Sequence, residues 1–275
     1  MLTIAEALRQ AGGTMAAGEA RTLLRAVLGC DEARLIAHGE ETLTAGQQRA
    51  FEQLAARRAS GEPIAYITGE REFYSLNFRV TPAVLIPRPE TELLVEVALE
   101  CIAPDAPRRV LDLGTGSGCV AIAIARERPR AEIVAIDASA EAVALARENA
   151  QRLGARNVTV LQGNWFSTVA GQRFDLIVAN PPYVAAGDPH LAAGDLRFEP
   201  RSALVAGADG LDGIRLIVAH ARTHLAAGSW LLFEHGMDQA ARCRALLERA
   251  GFANIFSRSD LAGIERVSGG FAGPT

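Results

Sequence analysis

One stretch constrains this chain more than any other: an apolar run at 174–179 is followed directly by Asn180, Pro181, Pro182 and Tyr183. A run that short, stopped by prolines, predicts a buried strand of a parallel sheet. Proline lacks the amide hydrogen that a sheet ladder needs, so the strand must end before Pro181. We therefore expect a stiff corner at the carboxyl edge of a sheet, where open α/β sheets bind their ligands.

The corner offers two hydrogen-bond acceptors, Oδ1 of Asn180 and the backbone carbonyl of Pro181. Two fixed acceptors suit a planar NH2 group, as in a carboxamide or the exocyclic amine of a base. The nitrogen of such a group is a weak nucleophile because its lone pair is delocalised. Holding both N–H bonds orients the nitrogen and stabilises the charge it gains when an electrophile attacks. With Tyr183 packed against the planar group, the corner predicts alkylation of a weakly nucleophilic nitrogen.

The residues before this region divide into a helical part and an extended part. Capping signals predict short helices between about residues 3 and 59, and a Thr44-x-x-Gln47 capping box opens the last of them. Strand-forming residues at 66–68 and 73–80 predict a β-hairpin. We expect a small all-α domain at 1–64, a β-hairpin linker at 65–88 and a catalytic domain at 89–275.

Strands and helices alternate from Arg109 onward, a pattern typical of a parallel sheet with helices on both faces. The predicted strands are 110–113, 133–136, 158–161, 174–179 and 230–233, with two more near Ile255 and Arg266.

A glycine-rich turn joins the first of these strands to its helix; it consists of Gly114, Thr115, Gly116, Ser117 and Gly118. Such a turn lets a ligand approach the backbone next to the amide donors of a helix start. Asp137 ends the next strand, where an acid commonly accepts hydrogen bonds from ribose hydroxyls. The spacing is G-x-G-x-G rather than the dinucleotide fingerprint G-x-G-x-x-G. The carboxylate of Asp112 disfavours a pyrophosphate and attracts an amino group, so S-adenosylmethionine is the cofactor that fits best.

Together these motifs resemble a known family. Residues 112–118, Asp137 and 180–183 are similar to the class I methyltransferases that modify amino nitrogens. The segment 86–92, Ile-Pro-Arg-Pro-Glu-Thr-Glu, is the discriminating one. With Phe73-Tyr74, Arg197-Phe-Glu-Pro200 and Ala206-Gly-Ala-Asp-Gly210, it resembles the peptide chain release factor N(5)-glutamine methyltransferases, the PrmC/HemK family. The resemblance covers nearly the whole chain and implies a Rossmann-like α/β fold with a mostly parallel seven-stranded sheet.

The resemblance also implies a reaction. Family enzymes transfer a methyl group from S-adenosylmethionine to the glutamine side-chain nitrogen of the Gly-Gly-Gln motif in class 1 release factors, leaving S-adenosylhomocysteine and using no metal. The implied catalytic residues are Asn180, Pro181 and Tyr183, and Pro182 and Arg88 join them in binding substrate. The implied cofactor residues are Asp112, Gly114 to Gly118, Asp137, Trp165, Phe166 and Asn180. Trp165 keeps two interpretations, an adenine contact or an ordinary core tryptophan, and Asn164 departs from the aspartate that relatives often carry.

Two other functions remain open from sequence: a nucleic-acid adenine-N6 methyltransferase using a similar corner on a flipped base, and a cofactor-binding scaffold without catalysis. A formal net charge of −4 disfavours stable nucleic-acid binding. Four dispersed cysteines without a CxxC pair favour a reducing cytoplasm, and His220 with His224 lacks a third metal ligand. We expect a cytoplasmic monomer that binds neither membrane nor metal, because no membrane-length apolar run and no long heptad pattern is present.

Overall fold

The computed structural model describes residues 1–273. The chain forms two compact units: one comprises residues 1–70 and 190–198, and the other comprises 71–189 and the chain from Glu199 onward. Most of the segment predicted as a linker thus groups with the second unit, and the domain limits at 64 and 88 stay a prediction. Among the described residues, no helix is both long and apolar enough to cross a membrane.

The first unit is helical, as predicted. Its helices are α1 (Ile4–Ala11), α2 (Ala17–Leu28), α3 (Glu32–Ala37), α4 (Ala45–Ala59) and α5 (Ile64–Thr68). The predicted capping box is confirmed: the Thr44 hydroxyl accepts from the Gln47 amide, and the Gln47 side chain accepts from the Thr44 amide. The helices enclose a core that includes Leu23, Leu24 and Phe51.

The prediction of a strand at 66–68 is wrong, because these residues form α5. Pro63 precedes the helix with φ −58°, and Gly69 ends it in the left-handed region with φ +75°. The Thr68 hydroxyl donates to the Ile64 carbonyl within the same turn. The flanking proline and glycine therefore outweigh the strand propensity of the residues between them.

The hairpin exists but begins later, with β1 (Glu70–Phe73) and β2 (Leu76–Arg79) forming a two-stranded sheet. Its two connecting residues, Tyr74 and Ser75, have φ of 51° and 58°. Positive φ at both central residues is the geometry that matches the right-handed twist of paired strands.

The second unit contains the predicted mostly parallel seven-stranded sheet, in the order β5-β4-β3-β6-β7-β9-β8. Its strands are β3 (Arg109–Leu113), β4 (Glu132–Asp137), β5 (Val158–Gln162), β6 (Phe174–Ala179), β7 (Leu225–Glu234), β8 (Ala253–Ser259) and β9 (Glu265–Ala272). Strand β9 runs antiparallel to both of its neighbours, and the other pairs are parallel.

Helices cover both faces of this sheet: α6 (Glu92–Cys101), α7 (Cys119–Glu127), α8 (Ala140–Arg152), α10 (Asp212–His224) and α11 (Ala240–Arg249). A short helix, α9 (Arg201–Leu204), lies in the connection between β6 and α10. Adjacent strand residues alternate between two cores, since Val110 belongs to the same core as Ile122 of α7 whereas Leu111 belongs to the same core as Ile214 of α10.

The strand order reverses between β3 and β6, where Leu113 lies opposite Ala179. At such a switch point the two following connections diverge and leave a crevice at the carboxyl edge. The glycine turn follows β3 and the proline corner follows β6. The fold therefore brings the two motifs together although about 60 residues separate them in the chain.

Candidate active site

A cavity in the second unit occupies this switch point. Of the residues predicted for the site, those that line it are Arg88, Asp112, Gly114, Thr115, Gly116, Ser117, Asp137, Trp165, Asn180 and Pro182. Those outside its lining are Gly118, Phe166, Pro181 and Tyr183. The structure thus gathers both motifs around one cavity, although four of the predicted site residues do not line it.

The glycine turn has a conformation that side chains resist. Gly114, Gly116 and Gly118 have φ of 74°, 55° and 83°, in the left-handed region. The amides of Gly114 and Thr115 both donate to the Ile136 carbonyl, at 2.8 and 3.0 Å. Backbone bonds to β4 therefore fix the turn, and the absence of side chains at its glycines lets a ligand come close to the backbone.

Asp137 supports the same turn, a role that the sequence analysis missed. Its Oδ2 accepts from the Gly116 amide at 2.9 Å, and its Oδ1 accepts from the Ser139 amide at 2.9 Å. A carboxylate oxygen has capacity for more than one hydrogen bond. Asp137 can therefore hold the turn and also accept from a ligand hydroxyl in the cavity.

Asp112 is a buried carboxyl group, only 2% exposed, at the end of β3. Burial raises its pKa to about 7, and the nearby charge of Asp137 acts in the same direction, whereas a hydrogen bond from the Thr115 hydroxyl at 2.6 Å opposes the rise. A carboxylate that is costly to ionise alone gains most from a cationic partner. The site therefore suits a ligand with an ammonium group.

Trp165 and Phe166 face different surroundings. Trp165 lines the cavity, lies next to Gly114 and has φ +50°, an uncommon value for a bulky residue. Phe166 is buried in the core, where its ring stacks on His224 with centroids 4.7 Å apart. The structure thus brings Trp165, and not the Phe166 ring, to the cavity; Trp165 also packs against the core.

The side-chain carboxamide of Asn180 has one bonded and one unbonded end. Its Nδ2 donates to the Thr91 hydroxyl at 3.1 Å, whereas its Oδ1 is buried and has no hydrogen-bond partner. Buried polar atoms are nearly always paired, so an unpaired acceptor on a residue that lines a cavity points to a ligand donor.

Tyr183 and Glu234 form a buried pair behind the corner. The Tyr183 hydroxyl donates to Glu234 Oε1 at 3.2 Å. Burial, reinforced by the charge of Glu234, raises the pKa of Tyr183, so the phenol keeps its proton. Burial also raises the pKa of Glu234 to about 7, and the neighbouring hydroxyl groups of Thr91 and Tyr183 oppose this rise.

Distant residues hold the backbone of the corner. Gln239 donates to the Tyr183 carbonyl at 3.0 Å and accepts from the Gly236 amide at 2.9 Å. At Gly210, φ is 75° and a Cβ atom would collide with the Tyr183 carbonyl oxygen. Thr91, Glu234 and Gln239 were missed by sequence reasoning, because their partners in the corner lie 89, 51 and 56 residues away.

Arg88 lies at the edge of the cavity in an ion pair with Glu199, whose side chain is fully buried. Glu199 also accepts from the Ile86 amide at 3.1 Å. This buried carboxylate therefore links the two segments that carried the family resemblance, 86–92 and 197–200.

Family models and relatives of known name match this chain over both of its units. The family model "Methyltransferase small domain" matches residues 90–206, and the model "PrmC N-terminal domain" matches residues 3–69.

The chain is 53% identical over 254 residues to a release factor glutamine methyltransferase of Bordetella pertussis, covering 92% of this chain and 94% of that protein. It is 51% identical over 274 residues to the protein of the same name in Burkholderia pseudomallei, covering 98% and 95%. A crystal structure of the hMettl16 catalytic domain in complex with an RNA hairpin has a TM-score of 0.59 at 14% identity, covering 81% and 83%, and shows the shared fold alone. By its sequence identity to these relatives over nearly its whole length, this chain belongs to the release factor glutamine methyltransferase family.

Proposed function

We propose that this protein transfers the methyl group of S-adenosylmethionine to the side-chain amide nitrogen of the glutamine in the Gly-Gly-Gln motif of class 1 peptide chain release factors. The observation that carries the proposal is the unpaired, buried Oδ1 of Asn180 beside the cavity. An unpaired acceptor on a residue that lines the cavity supports binding of a carboxamide NH2 group there. The relatives' names supply the identity of the carboxamide.

The cofactor half of the cavity has the chemistry that S-adenosylmethionine requires. The buried carboxyl of Asp112 suits the ammonium of its methionine end, and the glycine turn permits close approach of the backbone. Asp137 and Trp165 both line the cavity, which supports roles for Asp137 in accepting from the ribose hydroxyls and for Trp165 in packing on the adenine. When bound, S-adenosylmethionine supplies an electrophilic methyl carbon.

The corner acts on the other reactant. Asn180 Oδ1 and the Pro181 carbonyl accept the two N–H bonds of the glutamine amide and so fix the direction of its nitrogen lone pair. Their partial negative charges stabilise the positive charge that develops on nitrogen during transfer. Tyr183 packs behind the amide, Pro182 and Arg88 border its approach, and the methylated amide loses its proton to water. No general base is needed.

We further propose that the protein acts on release factors as a cytoplasmic monomer, without a metal and without stable binding of nucleic acid. The family membership supports a protein substrate over the adenine-N6 alternative. No residue of the described chain gives a specific reason to favour a nucleic acid.

A label-transfer experiment tests this function. The protein is incubated with methyl-labelled S-adenosylmethionine and either a class 1 release factor, the same factor with its Gly-Gly-Gln glutamine changed to alanine, or bulk nucleic acid. We expect label in the unmodified release factor alone. Label in nucleic acid, or equal label in the alanine variant, would contradict the proposal.

A further inference from the structure

The two prolines of the corner leave it with few backbone anchors. Neither Pro181 nor Pro182 has an amide hydrogen, and no hydrogen bond among the described residues reaches the Pro181 carbonyl. That carbonyl is one of the two acceptors to which the proposed function assigns the glutamine NH2 group. Its direction must therefore be set by the residues on either side of the prolines.

A distant side chain holds the peptide group that follows the prolines. Gln239 Nε2 donates to the Tyr183 carbonyl at 3.0 Å, and the amide of Val184, in the same peptide group, donates to another backbone carbonyl at 2.8 Å. A peptide group is planar, so bonds at both ends fix its orientation, whereas a single bond would let it pivot. Only Pro182 and Tyr183 separate this group from the Pro181 carbonyl, and the ring of Pro182 fixes one φ angle between them. A shift of the Tyr183 carbonyl is therefore passed on to the Pro181 carbonyl.

Backbone groups alone determine the orientation of the Gln239 carboxamide. Its Oε1 accepts from the Gly236 amide at 2.9 Å, and its Nε2 donates to the Tyr183 carbonyl and, at 3.5 Å, to that of Asp209. A backbone N–H only donates and a carbonyl only accepts, so the reverse orientation would lose each of these bonds. Gln239 is 5% exposed, so water does not readily replace them.

We propose that Gln239 is a positioning residue that aims the Pro181 carbonyl at the substrate nitrogen by fixing the Tyr183 carbonyl. This inference rests on the proposed function. Gln239 does not line the cavity, and it acts through the backbone of the corner rather than by touching the reacting atoms.

The first test compares two apolar replacements of carboxamides that bind backbone carbonyls. Gln239→Met keeps the length of the side chain but removes its donor. The matched control, Asn157→Leu, removes a carboxamide that donates to three carbonyls at the amino end of β5 and does not line the cavity. We expect kcat for release-factor methylation to fall about 10²-fold in Gln239→Met, the scale of a misplaced reactant, and to keep its wild-type value in Asn157→Leu. The KM for the release factor and the Kd for S-adenosylmethionine should not change in either variant.

A glycine pair tests the same hydrogen bond without changing Gln239. Gly210 and Gly171 have φ of 75° and 74°, so alanine strains the backbone similarly at both. At Gly210 a Cβ atom would collide with the Tyr183 carbonyl oxygen and with Gln239 Nε2, whereas at Gly171 it would meet no atom within 4 Å. We expect Gly210→Ala to lower kcat as Gln239→Met does, and Gly171→Ala to retain it.

Two kinetic outcomes overturn the proposal. A wild-type kcat in Gln239→Met or in Gly210→Ala shows that this hydrogen bond does not aim the carbonyl. A loss of kcat in Gln239→Met that Asn157→Leu shares, or that a loss of cofactor affinity accompanies, shows a merely structural role.

Crystal structures of the variants separate this proposal from the proposed function. We expect the Pro181 carbonyl oxygen to lie about 1 Å from its wild-type position in Gln239→Met, or in Gly210→Ala if the first variant does not fold. A carbonyl that stays in place overturns the positioning role, whether or not the enzyme labels a release factor. Failure of the wild-type protein to label any release factor would instead contradict the proposed function.

Discussion

The cavity has two halves, which the proposed function assigns to the cofactor and to the substrate, and they are built in different ways. The cofactor half is local: the glycine turn bonds to the adjacent strand β4, and Asp137 of that strand holds it in place. The substrate half depends on residues that are distant in sequence, since Asn180 and Tyr183 bond to residues between 51 and 89 positions away along the chain. The difference predicts that changes in the first half alter cofactor affinity, whereas changes in the second alter turnover.

The largest expected effect belongs to the substrate half. Asn180→Ala removes an acceptor that acts on charge developing in the transition state, so we expect kcat to fall roughly 10²–10³-fold. Cofactor Kd, measured by calorimetry, should stay at the wild-type value. The matched control is Asn164→Ala, which removes a carboxamide from the cofactor half of the same cavity and should retain kcat. Equal losses of kcat and cofactor affinity in Asn180→Ala would break the comparison.

A glycine pair tests the cofactor half. Gly116 and Gly171 both have positive φ, 55° and 74°, and at neither would a Cβ atom meet another protein atom within 4 Å. Replacing either with alanine should lower the free energy of unfolding by about 1–2 kcal/mol, the cost of left-handed backbone. Of these two glycines, Gly116 lines the cavity and Gly171 does not. Calorimetry should therefore show weakened cofactor binding for Gly116→Ala and unchanged binding for Gly171→Ala; equal affinities would contradict the assignment.

A smaller effect concerns pH. The pKa of Asp112 is raised to about 7 by burial, so its carboxyl is protonated below that value in the free protein. Binding an ammonium favours the carboxylate, so affinity for S-adenosylmethionine should weaken as pH falls below about 7, up to tenfold per pH unit. Asp112→Asn should bind more weakly at pH 7.5 and lose this dependence. A wild-type affinity that is constant between about pH 5.5 and 7.5 would refute the role of Asp112.

Sequence alone predicted that the glycine turn, Asp137 and the corner after β6 lie around one crevice, and most of these residues do line the cavity. Glycine spacing, the aspartate at the end of β4 and the proline stop are local signals with direct structural meaning. The bonds from Asn180 to Thr91 and from Tyr183 to Glu234 were not predictable, since they depend on how α6 and β7 pack against β6. The strand wrongly predicted at 66–68 has a related cause: propensity favoured a strand, but the flanking Pro63 and Gly69 form helix boundaries.

The direction in which the Phe166 ring points was also not predictable from sequence. Its position next to Trp165 suggested a shared role, yet the positive φ of Trp165 turns the two rings toward different surroundings. Neighbouring residues in a turn need not face the same way, and only the backbone dihedral angles decide which one meets the cavity.

The most direct test of the central claim is a crystal structure of the protein with S-adenosylhomocysteine and a class 1 release factor. We expect the nitrogen of the Gly-Gly-Gln glutamine to lie within hydrogen-bond distance of both Asn180 Oδ1 and the Pro181 carbonyl, on the side facing the cofactor sulfur. A glutamine nitrogen bonded elsewhere, with Asn180 Oδ1 still unpaired, would contradict the account.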